Sequence, residues 1–594
     1  MELTANARIV LESRYLRRDE QGRLIETPEQ MLERVALATA EAELYWGEAK
    51  DVQQMASLFF DLMNEKLFLP NSPTLMNAGT PLSQLSACFV LPVEDDMAAI
   101  FHTLELAALI QQSGGGTGFN FSHLRPEGSY VSSTGGTASG PVAFMKIFNA
   151  ATEGIKQGGK RRGANMGILN INHPDILTFI DAKRDAHQLN NFNISVGIRN
   201  DFFKALETGK NYTLHFSSVH GKTIEREIPA ADLWHKLIHA AWATGDPGLI
   251  FLDTIQQFNP TPGIGTIEAT NPCGEVPLLP YESCNLGSIN LSRMLQKSGN
   301  QDWQVDWEKL RRTVHLAVRF LDNVIEMNRY LHPELKRMAT GNRKIGLGVM
   351  GWAEMLIRMG IPYDSQEALQ FGSQLMQFIQ HEAQIASALL AAQRGSFPFI
   401  IQSQFSGQQR RNATLTSIAP TGTISLIAGT SSSIEPLFAI AYKREHVLNN
   451  QTLFEINPAA LEILSRQQHF SEQMLDEIIL KGSVQHIRQL PESVKRLLKT
   501  SLEIDYTYHI AHQVSFQRYT DNAVSKTINM PASATVADVE KAYRMAWQQG
   551  AKGITIFRYG SKPEQVLHAG LKKEDEIVRV LESEIHDCKS SCHL

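Results

Sequence analysis

Cysteine is scarce. The 594-residue chain has five, Cys88, Cys273, Cys284, Cys588 and Cys592. So sparse and odd a set is not the disulfide framework of a small secreted domain. Cysteines this thinly spread are usually buried and inert. Long apolar runs are missing too. No stretch approaches the ~18–20 residues that span a bilayer, so no membrane partner is expected. The opening residues Met1-Glu2-Leu3-Thr4-Ala5-Asn6 lack the charged-then-apolar pattern of a secretory signal, and a cytoplasmic location is the default. Charge of one sign is lacking as well, since the formal net charge is only −6. A general nucleic-acid binder needs a basic field to displace counterions from phosphates, so no nucleic-acid partner is expected, although a local phosphate site is compatible. What is present, 43% hydrophobic and 20% charged residues, is the composition of an ordinary globular protein.

Residues 27–66 read as helices, with Leu32, Val35, Ala36 and Ala40 on one face. Asn71-Ser72-Pro73-Thr74 ends this region with loop chemistry. Residues 1–70 are therefore assigned to a small N-terminal helical domain. From 71 to 563, strand-like runs alternate with helices, which implies one large α/β domain. Residues 248–252 and 553–557 look like buried strands. Residues 232–244 look like a helix stopped by Gly245 and Pro247. Residues 572–594, charged and carrying two cysteines, read as a mobile C-terminal tail.

Some motifs mislead. Gly154-Ile155-Lys156-Gln157-Gly158-Gly159-Lys160 fits most of a Walker A loop, but Arg161 stands where the Mg²⁺-binding hydroxyl belongs. Residues 164–171 beyond it read as loop and strand, where a helix is required. Gly346-Leu347-Gly348-Val349-Met350-Gly351 is a formal dinucleotide fingerprint without a convincing strand before it. Close packing explains those glycines as well. Asp185-Ala186-His187-Gln188-Leu189-Asn190 departs at its last residue from the motif by which some cobalamin proteins supply a histidine ligand. His509 and His512 share a helical face, but a core or surface pair is the commoner reading than a metal pair.

The informative segment is Asn271-Pro272-Cys273-Gly274-Glu275, followed eleven residues after its cysteine by Cys284 in Ser283-Cys284-Asn285-Leu286-Gly287-Ser288-Ile289-Asn290. Around it lie Asn71-Ser72-Pro73-Thr74-Leu75-Met76-Asn77, Ala87-Cys88, Gly114-Gly115-Gly116-Thr117-Gly118, Ala419-Pro420-Thr421-Gly422-Thr423-Ile424-Ser425 and Asp521-Asn522-Ala523-Val524-Ser525-Lys526-Thr527-Ile528-Asn529. In this order the set resembles the ribonucleotide reductases, and most of all their class II, adenosylcobalamin-dependent branch. The resemblance spans nearly the whole chain.

That resemblance implies a ten-stranded α/β barrel with a central finger loop around 271–290. It makes Cys273 the thiyl radical that removes the substrate's 3′ hydrogen. Glu275 would be the general base on the 3′-hydroxyl, Asn271 would fix the hydroxyls, and Cys88 and Cys284 would supply reducing equivalents and close to a disulfide. Pro420, Thr421, Gly422, Thr423, Ile424 and Ser425 suit the substrate phosphates, because exposed amides and hydroxyls at a helix N-terminus attract anions. An ordinary capped turn would look the same. Ser72, Ala87, Gly115, Gly116, Pro272 and Gly274 match other pocket positions. Cys588 and Cys592 would relay electrons from a thioredoxin or glutaredoxin; half a zinc site is the alternative. Asp95 and Arg125 match effector contacts for a deoxynucleoside triphosphate at a homodimer interface, and 132–140 and 158–167 match specificity loops. No metal ligand set is assigned.

Rival readings remain. A class I large subunit draws its radical from a separate protein through adjacent tyrosines, whereas Thr555-Ile556-Phe557-Arg558-Tyr559 here holds no tyrosine pair. A nicotinamide oxidoreductase would bind through 346–351, and a pure binding protein would hold nucleotide without turnover.

Overall fold

The computed structural model describes residues 2–131, 135–157, 161–185, 187–217, 223–299, 302–447, 451–561 and 567–570. Three helices open it, α1 (Ala5–Arg14), α2 (Pro28–Ala40) and α3 (Ala49–Asn64). Each start is capped. Thr4 Oγ1 accepts from the Ala7 amide, and Thr27 and Gln30 form a reciprocal capping box. Leu32, Val35, Ala36 and Ala40 are all buried, as their 3.6-residue spacing predicts. Asn71, expected in a loop, instead caps a short helix, Ser72–Asn77, by accepting from the Thr74 amide at 2.9 Å.

Among the described residues the main sheet has ten strands. Nine build the barrel wall: β1 (Cys88–Val90), β2 (Gly116–Asn120), β3 (Asn165–Asn170), β4 (Phe192–Ile198), β5 (Gly248–Phe251), β6 (Ser283–Asn290), β7 (Ile345–Met350), β8 (Thr527–Met530) and β9 (Gly553–Arg558). The tenth, Phe68–Pro70, runs antiparallel beside the end of β6. From β1 to β5 each strand pairs parallel with the next. A second parallel set begins with β6 and β7, and ends with β8 and β9. Segment 415–418 fills the place between, through parallel bridges Leu347↔Thr416 and Ile418↔Val524. The two sets meet antiparallel at β1/β6 and at β5/β9. All eight residues of β6 are buried, the pattern of a strand covered on both faces.

The 346–351 glycines sit inside and just after β7, not in a phosphate loop. A Cβ on Gly348 would stand 2.3 Å from the Ser417 carbonyl oxygen, and one on Gly346 2.4 Å from Leu286. Strand-to-strand closeness is therefore their reason. His509 and His512 lie buried in the helix Tyr506–Gln517, and each gives its Nε2 to a backbone carbonyl, of Ser501 and Tyr363 respectively.

Apolar clusters lie outside the barrel under the helices. An inner cluster holds Cys88, Met166, Ile168, Ile250, Val276, Leu278 and Cys284. A buried ion network ties the N-terminal helices to the barrel. Glu43 accepts from Arg394 at 2.7 Å, and Asp322 pairs with Arg343 at 2.8 Å, Arg394 at 3.0 Å and Arg411 at 3.3 Å.

Candidate active site

The 271–276 loop is held in the barrel from several sides. It closes on itself first: the Val276 amide donates to Asn271 Oδ1 at 3.0 Å, and the Gly274 amide to the Asn271 carbonyl at 3.0 Å. Gly274 takes φ +80°, a left-handed turn that glycine adopts without steric cost. The barrel wall then grips the loop. Asn193 Nδ2 on β4 donates to the Pro272 carbonyl at 2.8 Å. Ser417 Oγ and the Ala523 amide both donate to the Glu275 carbonyl, at 2.9 and 2.8 Å. On β2, a Cβ at Gly116 would stand 2.9 Å from Pro272 Cγ, and one at Gly118 only 1.7 Å from the Thr270 carbonyl oxygen. Two glycines in β2 thus let the loop lie directly on the strand.

Cys273 is exposed, whereas Cys88 and Cys284 are buried. Cys88 and Cys284 are direct cross-strand partners in the β1/β6 pairing. Such partners have Cα atoms about 4.5–5.5 Å apart, inside the window a disulfide needs. Asn271 Nδ2 donates to Cys88 Sγ at 3.1 Å, joining loop and pair. Burial pushes the Cys88 thiol well up, and the Glu275 carboxylate and the nearby Cys284 and Cys273 sulfurs push the same way, against the Asn271 hydrogen bond. Burial also raises Cys284; Lys344 opposes that shift, and Glu282 and Glu275 add to it. Both are therefore held as thiols, the form that can give up hydrogen. Glu275 is 2% exposed and close enough to act on both sulfurs.

The other expected residues fall as follows. Ala87 threads between the two halves: its amide donates to the Cys284 carbonyl at 3.3 Å, and its carbonyl accepts from the Gly116 amide at 2.8 Å. Gly115 packs on Ile110 and Phe89. Ser72 Oγ lies 2.7 Å from the Tyr15 hydroxyl. Pro420 follows segment 415–418. Thr421 takes φ +54° and its Oγ1 accepts from the Ser433 amide at 2.7 Å. Gly422 is exposed, Thr423 begins the five-residue helix Ile424–Ala428, and Ser425 Oγ meets Ser432 Oγ at 3.1 Å. Asp95 and Arg125 pair with each other, Nε to Oδ2 at 2.8 Å. Cys588 and Cys592, with 132–134 and 158–160 of the two loops, lie outside the described residues. Asn193, Ser417 and the buried pair Lys344–Glu282 had not been singled out from sequence. Only Glu282 left a signal, two residues before Cys284 and so on the same face of an extended chain.

The comparisons agree with this geometry. Residues 86–410 and 401–557 match the family description "Ribonucleotide reductase, barrel domain", and residues 1–83 match "Ribonucleotide reductase, all-alpha domain". The chain belongs to the ribonucleotide reductase family. It is 49% identical over 575 residues to a vitamin B12-dependent ribonucleoside-diphosphate reductase of Mycobacterium tuberculosis, covering 96% of this chain and 82% of that protein. A protein of the same description from Thermoplasma acidophilum is 47% identical, over 97% of this chain and 82% of its own. Among solved structures, a class Id ribonucleotide reductase alpha subunit from Actinobacillus ureae superposes with a TM-score of 0.75 at 25% identity, covering 94% of this chain and 97% of that one. The ten-stranded barrel with an all-helical N-terminal region is thus the reductase fold. Among the described residues no helix is long and apolar enough to cross a membrane.

Proposed function

We propose that this reductase converts ribonucleoside diphosphates to 2′-deoxyribonucleotides with Cys273 as the radical thiol, adenosylcobalamin as the radical source, and Cys88 and Cys284 as the reducing pair. The single observation carrying the reading is the seam itself: two buried cysteines directly opposite across β1/β6, joined through Asn271 to a loop that presents a third, exposed one. The class follows from likeness. Identity is 49% and 47% to cobalamin-dependent diphosphate reductases but 25% to a class Id alpha subunit, and no tyrosine pair stands at 555–559.

The residues present fit the cofactor. Cys273 is the exposed member of the three, and Gly274 and Gly422 have open space where a side chain would project. Adenosylcobalamin, when bound, supplies the one-electron chemistry that makes the Cys273 thiyl radical. The chain's own residues do the rest. Cys273 takes the 3′ hydrogen and later returns it. Glu275 holds the proton of the 3′-hydroxyl, while Asn271 orients the hydroxyls. Cys88 and Cys284 give up two protons and two electrons, so that ribonucleotide and dithiol become deoxynucleotide, water and disulfide. Pro420 to Ser425 receive the phosphates, with Ser72, Ala87, Gly115 and Gly116 lining the pocket.

The Cys588/Cys592 tail carries electrons from a thioredoxin-type protein to the buried disulfide. Deoxynucleoside triphosphate effectors bind beside Asp95 and Arg125 at a homodimer interface. An apolar face supports that interface: Met97, Phe101 and Leu109 on the helix Met97–Gln112 and Ile147 on the helix Gly140–Gly154 are all at least 40% exposed.

The test is anaerobic. Purified chain alone, given adenosylcobalamin and a dithiol, forms deoxynucleotide. Cys273→Ser binds the nucleotide and forms none, because an O–H bond is too strong for ready hydrogen exchange. Turnover that depends on a separate metal-containing subunit and ignores cobalamin would overturn the class.

A further inference from the structure

Lys344 and Glu282 form a buried ion pair that the reduction chemistry above does not use. Nζ and Oε2 stand 2.5 Å apart, with both side chains 1% exposed. Glu282 is pinned further, by the Leu279 amide at 2.7 Å and by the Asn342 side chain. A buried pair of this kind adds little net stability over an apolar replacement, so its position is the informative part. The parallel register pairs Asn285 with Ile345. One step back along each strand lie Cys284 and Lys344. On that same side, a Cβ at Gly346 would stand 3.6 Å from Cys284 Sγ. Cys284 thus lies between Cys88 on one neighbouring strand and the start of β7 on the other. Of the charges around Cys284, which are Lys344, Glu282 and Glu275, the ammonium has the largest influence and is the one that favours thiolate. For Cys88 the ionised neighbour is the carboxylate of Glu275, which opposes thiolate, and among the described residues no ammonium acts on it.

We infer that Lys344 is a positioning residue for re-reduction of the Cys88–Cys284 disulfide, its charge stabilising Cys284 as the leaving thiolate. The inference rests on the reading of Cys88 and Cys284 as the redox pair. A thiolate of the reducing dithiol attacks Cys88 Sγ. The Cys88–Cys284 bond breaks, and its electron pair goes to Cys284 Sγ, where the ammonium meets the new charge. The thiolate then takes up a proton. The second thiol of the reductant attacks the mixed disulfide and releases Cys88, so the reductant ends as a disulfide and the enzyme as two thiols. Exchange is faster when the leaving thiol is more acidic. The asymmetry of charge therefore decides which sulfur is attacked.

The experiment uses the full chain, oxidised by one turnover, with dithiothreitol as probe and acid quench followed by alkylation and peptide mapping. In Lys344→Met, re-reduction should slow about tenfold, for a leaving group about one or more pKa units less acidic. Lys344→Arg should recover most of the rate. Glu282→Gln should leave the rate equal or raise it, because it removes the opposing charge. Nucleotide affinity and denaturant unfolding report folding separately. Trapped mixed disulfide should lie on Cys88 in the unaltered chain and be shared with Cys284 in Lys344→Met. Equal slowing by Lys344→Met and Glu282→Gln, or an unchanged rate in folded Lys344→Met, overturns the inference. Failure of the unaltered chain to form a Cys88–Cys284 disulfide overturns the underlying assignment instead.

Discussion

Gly118→Ala is the sharpest way to move the active-site loop without touching any reacting group. Its Cβ would lie 1.7 Å from the Thr270 carbonyl oxygen and 2.8 Å from the carbonyl carbon. Even close C···O contacts sit at about 3.3 Å or more, so strand and loop must part by roughly 1.6 Å. Both partners are backbone, and no rotamer change relieves the clash. Thr270 immediately precedes Asn271, which touches Cys88 Sγ. Misplacement by about 1 Å is enough to lower a rate about 100-fold, while overpacking costs about 1–3 kcal/mol of stability. The expected outcome is thus a folded chain, unfolding at lower denaturant, with kcat down about two orders of magnitude. Gly265→Ala is the control. Its Cβ would meet Leu279 at an ordinary 3.5 Å, and stability should hold within about 0.5 kcal/mol. Steady-state turnover and urea unfolding measure both. A Gly118→Ala chain that turns over within roughly threefold of the unaltered one refutes the reasoning that β2 seats the loop.

Acid should unfold the chain through its buried ion network. Burial pushes Asp322 up, but Arg343, Arg411 and Arg394 outweigh it and hold the carboxyl at about 2. A depressed pKa stabilises fully above the unfolded value and is lost as pH falls through the folded one. Asp322→Asn should therefore flatten the stability loss between about pH 4 and pH 2 while costing about 3–5 kcal/mol at neutral pH, read from denaturant unfolding against pH. Cys588→Ser or Cys592→Ser should stop multiple turnover with a thioredoxin-type reductant and regain it with dithiothreitol; undiminished thioredoxin-driven turnover in both would remove the tail from the pathway. Asp95→Ala should weaken deoxynucleoside triphosphate binding about tenfold by removing the carboxylate proposed to contact the effector and to orient Arg125 at 2.8 Å, and unchanged calorimetric affinity would place the effector elsewhere.

Legibility in the sequence tracked locality. The helix face of Leu32, Val35, Ala36 and Ala40 depends on periodicity alone and stands as read. The buried strand 248–251 and the helix stopped at Gly245 likewise follow from short-range pattern and turn chemistry, whereas 553–558 forms a strand that is not buried as expected: only Ile554 and Ile556 are buried and Thr555 is exposed, so one face alone is covered. The glycines of 346–351 were ambiguous because their cause is distant: Ser417 and Leu286 lie about 60 to 70 residues away along the chain. Asn71 looked like loop chemistry because a capping asparagine and a turn asparagine present the same residue. Asn193, Ser417 and Lys344 carry no motif at all, since what they touch, Pro272, Glu275 and Glu282, is set by strand order.

Strand order also explains why the proposed chemistry sits where it does. Within either half-barrel the strands run parallel, and parallel neighbours are reached only through long crossovers. Cys88 and Cys284 instead face each other at a seam where the halves run antiparallel, so residues nearly two hundred apart become direct cross-strand partners. The seam alone does not suffice, because two buried thiols cannot be reached by a bulky cofactor. The loop after Thr270 solves this by carrying a third cysteine to an exposed position while Asn271 keeps its base against Cys88. Gly116 and Gly118 remove the side chains that would hold that loop off the wall. In the proposed function, radical generation at Cys273 and disulfide formation at Cys88 and Cys284 are thus separated by burial and joined by one short turn, whose geometry β2 sets.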